Sequence, residues 1–443
     1  MKTSIKVTAL TAVFALAGCN NLLDVNNPNN LVEESIRRQS AATAVVNGAQ
    51  ALVAHAVSSI WQPYEVATDD FYWIGSRDAW LSIDQGFLSD PANEFTDAAF
   101  PDLAQARWMA DNAVTIMEEH VAEDPSFGPE LARAHLYAGI AYMVVGEVQQ
   151  DFTISDKRDA GPAVGPDQMY TMLDQAITHL DAAISGTDDA DIKLEAMAVR
   201  ARAKQSRAIW DKIKPSPNTA DPLAKSASAV SDALATIDMA GGATADWDYD
   251  FHYSSSTITN DLADWVNDRK ENQVDLSLVT VDANYDISGM VIQDPIDNVA
   301  DPAFRERLEK FKETSFQNIV DSGAKGGSYA PMTIASTRLM HLIVAEDALA
   351  NGDDATFTEH INDIRAMDGL TPYSGQIPAM DMLQHERRVN TWLMGLRLAD
   401  MYRFGITDPK WQPGSDAITA PGTLLPITLV EVRANCNLNG LGC

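Results

Sequence analysis

The chain has 443 residues, with 32 basic and 63 acidic side chains for a formal net charge of −31, and it is 46 % hydrophobic and 21 % charged. Length and apolar content are enough for about two or three packed units and exclude disorder as the bulk state. The acid surplus repels phosphate backbones, which excludes nucleic acid as a partner, and it disfavours an anionic membrane surface.

At the start of the chain, Lys2 and Lys6 precede an apolar run over 7–16 that ends in Leu16-Ala17-Gly18-Cys19. The run is too short to span a bilayer, so 1–18 is predicted to be a signal peptide. Its last four residues resemble the lipobox of bacterial lipoproteins. Cys19 would then be the lipid attachment residue, with several acyl chains giving stable membrane anchoring. An ordinary secretory site with an incidental Cys is the plainer alternative. Residues 19–31, rich in Asn and interrupted by Pro28, form a polar tether.

From 32 to 59, Ser35, Ala42, Val46, Ala49 and Val53 recur at helical spacing. Residues 61–100 carry Trp61, Tyr64, Asp69, Asp70, Phe71, Tyr72, Trp73, Arg77 and Trp80 between turn signals and are expected to be a long ordered loop. Such loops are usually functional, which nominates Trp73, Arg77 and Trp80 as ligand-binding residues. Trp rings that merely plug a helical wall are the alternative.

Helical periodicity predicts helices over 102–120, 129–149, 166–185, 191–210 and 222–239, with Pro129, Pro166 and Pro222 at their first turns. Small residues over 132–146 and the Ala-Ile-x-x-Leu-x-x-Ala spacing of 176–183 are similar to a tetratricopeptide helix pair. Segments 196–208 with 227–237, and 339–350 with 357–365, look like further degenerate pairs. The expected fold is therefore mainly α. Stacked tetratricopeptide-like pairs form a solenoid wall against an irregular, loop-rich part with a few short strands. The N-terminal helical part spans 32–240, the loop-rich part 241–327, and a C-terminal helical part with its tail 328–443.

In the loop-rich part, 246–253 alternates strictly, with Trp247, Tyr249, Phe251 and Tyr253 on one face of an extended chain and Asp246, Asp248, Asp250 and His252 on the other. The Asp spacing matches the first ligands of an EF-hand, but Phe251 stands where Gly must turn and Thr257 where a bidentate Glu is needed. No metal or cofactor is assigned, and only a looser calcium site stays open. Trp247, Tyr249 and Tyr253 are nominated for ligand binding, because rings beside carboxylates suit a sugar. The alternative is an edge strand packing its rings on a helix. At the C-terminus, Cys436 and Cys443 are expected to form a disulfide in an oxidising compartment, with two free thiols as the alternative. His385-Glu386-Arg387-Arg388 lacks the second His of a zinc-protease helix, and no nucleophile or phosphate-binding motif is present, so catalysis is not expected.

The C-terminal third carries a resemblance. Residues 339–353 followed by Ile361-Asn362-x-x-Arg365, then Glu386-Arg387-Arg388, Gly395-x-Arg397-x-x-Asp400-x-x-Arg403-x-Gly405, and Pro426-Ile427 with Glu431 and Asn435 resemble the C-terminal pattern of SusD/RagB-like lipoproteins. The resemblance implies an outer-membrane, cell-surface lipoprotein that binds oligosaccharides or other nutrients without chemistry, as the lid of a SusC-like TonB-dependent transporter barrel. It implies ligand sites on variable aromatic loops and structural roles for the matched charged residues. An envelope helical-repeat adaptor that binds only proteins and a lipid-anchored hydrolase are the two rival classes.

Overall fold

A computed structural model describes residues 33–156 and 159–440. The expected signal peptide, Cys19, the tether and Cys443 lie outside the described residues; Cys436 is disulfide-bonded. A turn of helix, Glu33–Ile36, comes first. The long helix α1 (Ala42–Val66) follows, running past the expected end through Pro63 and burying Val46, Ala49, Val53, Ile60, Trp61 and Tyr64.

The stretch 61–100 departs from the expected long loop. It holds the end of α1, strand β1 (Phe71–Trp73), helix α2 (Asp78–Asp84) and the first turns of α3 (Glu94–Glu123). Helix α3 begins eight residues before the expected 102 because Asn93 caps it, its side-chain oxygen accepting from the backbone of Phe95 and Thr96. Pro101 lies inside the helix and removes one N–H without ending it.

Three helix pairs stack as the periodicity suggested. Helix α4 (Gly128–Val148) packs on α5 (Tyr170–Ser185), α6 (Ala190–Ile213) on α7 (Ala227–Met239), and, after α8 (Pro302–Lys312), α9 (Thr337–Asn351) on α10 (Asp354–Met367). The small residues of α4 mark the closest approach. A Cβ on Gly139 would sit 2.6 Å from Leu180, and one on Gly146 2.7 Å from Leu173. Around α9 and α10 the core is Leu342, Ala345, Phe357, Ile361, Ile364, Met382 and Leu383. No helix among the described residues is long and apolar enough to cross a membrane.

Among the described residues, the strands form three two-stranded antiparallel ribbons: β1 with β3 (Asn272–Val274), β2 (Asp248–Phe251) with β6 (Met332–Ser336), and β4 (Val279–Val281) with β5 (Ile287–Met290). The alternation of 246–253 is real, but its aromatic face is internal. Tyr249, Phe251 and Tyr253 are buried, and the Tyr253 hydroxyl donates to the Ala54 carbonyl of α1 at 2.7 Å. This corrects the nomination of Tyr249 and Tyr253 as ligand contacts, since the fully buried partner strand β6 draws that face into the core. The acidic face is neutralised by the chain itself. Asp246 pairs with Arg338 at 2.7 Å, Asp248 with Arg307 at 3.0 Å, and Asp250 with Lys310 at 2.7 Å.

Helices α11 (Ala379–Asn390) and α12 (Arg397–Phe404) carry the charged residues of the C-terminal pattern, nearly all buried. Arg387 and Arg403 both bind Asp400, each at 2.8 Å, and both reach Glu346 of α9. Arg365 of α10 binds Asp294 at 2.6 Å and Glu386 at 3.2 Å. Gly395, at φ +70°, joins the two helices; its N–H donates to Glu65 at 2.7 Å, and a Cβ there would meet the Trp61 indole at 2.5 Å.

These buried acids set the pH response. Burial pushes the carboxyls of Glu65, Asp84 and Glu386 up to about 7, above the unfolded values near 4. Their contribution to stability is therefore complete below about pH 4 and is lost as pH rises through 7. Burial would raise Asp69 and Asp400 too, but paired arginines override it and hold both low, so their contribution fails only as pH falls below the ordinary carboxylate range. Through these acids the melting temperature is expected to fall as pH rises from about 4.5 to about 7. A scanning-fluorimetry series that is flat or rising over that interval would contradict this.

Candidate ligand-binding site

The site is assembled on a clamp. Asp69 and Asp70 end the corner after α1, and both face arginines of the C-terminal helices. Arg397 Nε lies 2.7 Å from Asp69, and Arg388 pairs with Asp70. The next residue, Phe71, is buried against the rings of Phe311 and Trp392, at 6.1 and 6.2 Å. Strand β1 then pairs with β3, Tyr72 opposite Gln273 and Trp73 opposite Asn272. Beyond the strand, Glu271 gathers the loop. Its carbonyl accepts from Ile74 and Gly75, and its carboxylate from the N–H groups of Ser76 and Arg77 and the Ser76 hydroxyl, all at 2.8–3.0 Å. A Cβ on Gly75 would lie 2.0 Å from that carboxylate, so the close approach requires glycine. Residues 71–77 and 264–286, far apart in sequence, thus form one surface.

Aromatic side chains dominate its edge. Tyr72 and Trp73 are half-buried, and Tyr285, at φ +61° in the turn between β4 and β5, is 48 % exposed. The Tyr72 hydroxyl and the Trp73 indole N–H are buried without hydrogen-bond partners. Burial, then the neighbouring Tyr285 and Asp275, push the Tyr72 phenol up to about 12, so it stays a donor. Beneath the rings, Lys410 contacts Asp275 at 2.6 Å, Asp408 at 2.7 Å and Asp84 at 3.7 Å. Asp84 also accepts from the Trp73 N–H at 3.1 Å. On the flank, half-buried Trp265 lies under two guanidinium groups, Arg269 at 4.4 Å and Arg77 at 5.8 Å, and Arg77 also pairs with exposed Glu94. Half-exposed rings beside donors and carboxylates can stack on the apolar face of a sugar while meeting its hydroxyls.

Of the nominated residues, Trp73 and Arg77 belong to this surface and Trp80 does not. Trp80 is fully buried, stacked on Phe95 at 3.6 Å with Trp265 edge-on at 5.6 Å. It supports the edge from below, which corrects its nomination. Trp247 is half-buried at the foot of β2, its N–H bound to Thr337. Sequence reasoning missed Trp265, Arg269, Asp275, Tyr285 and Lys410. The one local signal was the i, i+4 spacing of Trp265 and Arg269. Among the described residues, clefts also lie elsewhere. One, of about 250 Å³, is lined by Asn47, Gln50, His252 and Thr257; another, of about 240 Å³, by Arg107, Trp108, Thr153 and Glu431.

No protein-family model matches the chain, and no curated protein matches it. Solved structures do. A SusD superfamily protein from Parabacteroides distasonis ATCC 8503 is similar with TM-score 0.62 at 14 % identity, over 92 % of this chain and 98 % of that one. A SusD homolog from Bacteroides thetaiotaomicron VPI-5482 is similar with TM-score 0.60 at 13 % identity, over 85 % and 89 %. A Bacteroides vulgatus ATCC 8482 protein whose name offers sugar binding as a proposal is similar with TM-score 0.56 at 13 % identity, over 90 % and 97 %. The chain has the fold of the SusD superfamily.

Proposed function

We propose that this chain is a glycan-binding lipoprotein of the outer membrane that faces the cell exterior and serves as the lid of a TonB-dependent transporter barrel, holding its ligand without chemistry. The observation that carries the binding role is the joining of Tyr72 and Trp73 to Tyr285 and Trp265 on one clamped surface, with a lysine–carboxylate nest at hand. The SusD-type fold supports the same role, as does the sugar-binding name of one structural neighbour. The lipid anchor rests on the Leu16-Ala17-Gly18-Cys19 motif, and the transporter partner rests on the resemblance of the C-terminal pattern.

A double variant, Trp73→Ala with Tyr285→Ala, is expected to weaken retention on immobilised polysaccharide by at least about tenfold, the worth of roughly 1.4 kcal/mol from stacked anchors. Its melting temperature should stay near that of the parent, because neither ring is fully buried. Undiminished retention would move the site away from this surface. Affinity purification of the tagged lipoprotein from membranes tests the lid role, which fails if no large β-barrel copurifies. Turnover of a bound glycan would overturn its non-catalytic character.

A further inference from the structure

A second constellation lies in the C-terminal helix pair, apart from the surface above. His341 is on α9; His360 and Asp363 are on α10, and their i, i+3 spacing places both on one side of that helix. His341 is fully buried and His360 is 8 % exposed, whereas the Asp363 side chain keeps 23 % exposure and opens the cluster to water on one side. His341 Nδ1 lies 2.9 Å from His360 Nδ1 and 3.5 Å from Asp363 Oδ2, and one ligand atom from each residue falls within 4.8 Å of the others.

Protons alone serve this arrangement poorly. His341 Nε2 is buried without a hydrogen-bond partner. A proton on Nε2 leaves the His341 lone pair on Nδ1, the atom that faces the other two residues. One N–H from His360 can satisfy that lone pair, but the Asp363 carboxylate then faces it with no hydrogen between them. A cation at the centre satisfies all three.

We propose that His341, His360 and Asp363 bind a divalent metal ion of the zinc type, completed by water on the exposed side, which fastens α9 to α10. Two nitrogens and one carboxylate oxygen are a common donor set for zinc. At Zn–N distances near 2.0–2.1 Å, tetrahedral ligand nitrogens stand roughly 3.3 Å apart, so the 2.9 Å pair need open by only a few tenths of an ångström. The neutral imidazole is the form that ligates metal. The other histidine pair provides a control. His135 and His179 also meet through Nδ1, at 3.0 Å, but Asp111 lies 3.8 Å from the opposite nitrogen of His179 and does not join them.

The test is calorimetric titration of the chelator-treated full chain with Zn²⁺ alone, followed by melting with and without the ion. The expected result is one tight site whose occupation raises the melting temperature. His360→Gln and Asp363→Asn should each weaken it at least about tenfold, the lower bound for losing even a supporting group around a metal, and His179→Gln should leave it unchanged. The proposal is overturned if the parent binds no zinc, or if His360→Gln and Asp363→Asn both bind as the parent does, or if only His179→Gln abolishes binding. Should His360→Gln fail to fold, Asp363→Asn, changed at a partly exposed position, decides the matter alone.

Discussion

Arg403→Ala is expected to cost the chain about 3–5 kcal/mol of stability, the usual penalty for leaving a buried charge without its partner. Arg403 is fully buried and joins three elements: it donates to Glu346 of α9, to Asp400 of its own helix at 2.8 Å, and to the Pro222 carbonyl at 3.0 Å. Without it, Glu346 keeps one guanidinium contact, Arg387 at 3.4 Å, with the Gln205 amide at 3.1 Å and the Ala224 N–H at 2.8 Å. Those neutral donors do not replace a full charge in a dry interior. Against a total stability of about 5–15 kcal/mol for a typical domain, the loss should appear as a large fall in the denaturant midpoint. Lysine should rescue only part of it, because one ammonium cannot reproduce the planar fork that spans two carboxylates. A midpoint shift worth less than about 1 kcal/mol would show that the network is not what closes α9 against α12.

Trp80→Ala is expected to be comparably damaging, at about 3–5 kcal/mol for a large buried ring. The residue is fully buried, face to face with Phe95 across 3.6 Å, and Trp265 abuts both rings, at 5.6 and 4.9 Å. The cavity would undercut α2, α3 and Trp265 together. Ligand retention should fall in parallel with stability and recover where the variant is refolded by stabilising solutes. Trp73→Ala with Tyr285→Ala should show the reverse, weak retention in a chain of near-parental melting temperature. If Trp80→Ala melts like the parent yet loses ligand, Trp80 acts at the ligand after all.

The contrast between these two tryptophans shows where local sequence stops being informative. Trp73 and Trp80 share one aromatic stretch with the same neighbours in composition, and only the partners decide which is internal: Phe95 and Trp265 cover Trp80, while β3 pairs with the backbone of Trp73 and leaves its side chain half-exposed. The same holds for 246–253. Alternation gave the two faces correctly, but which face is buried depends on β6, more than 80 residues downstream. By contrast, the repeat pairs were legible because Gly139, Gly146 and their small neighbours report close helix approach within one local pattern. The Glu-Arg-Arg and Gly-x-Arg residues were legible as a resemblance, and their buried pairings give it a physical cause. Tyr285 and Lys410 had no such signal; a turn residue and a lone lysine become part of a surface only after 71–77 and 264–286 have met.

The Asp69 and Asp70 contacts to Arg397 and Arg388 end where the exposed rings begin. The roots of the surface are fastened by charge to the C-terminal helices, and its tips contribute little to that fastening. Tyr72, Trp73 and Tyr285 can therefore be exchanged over generations without renegotiating the fold. A scaffold divided in this way separates what holds the chain together, the arginines and aspartates underneath, from what it presents to solvent.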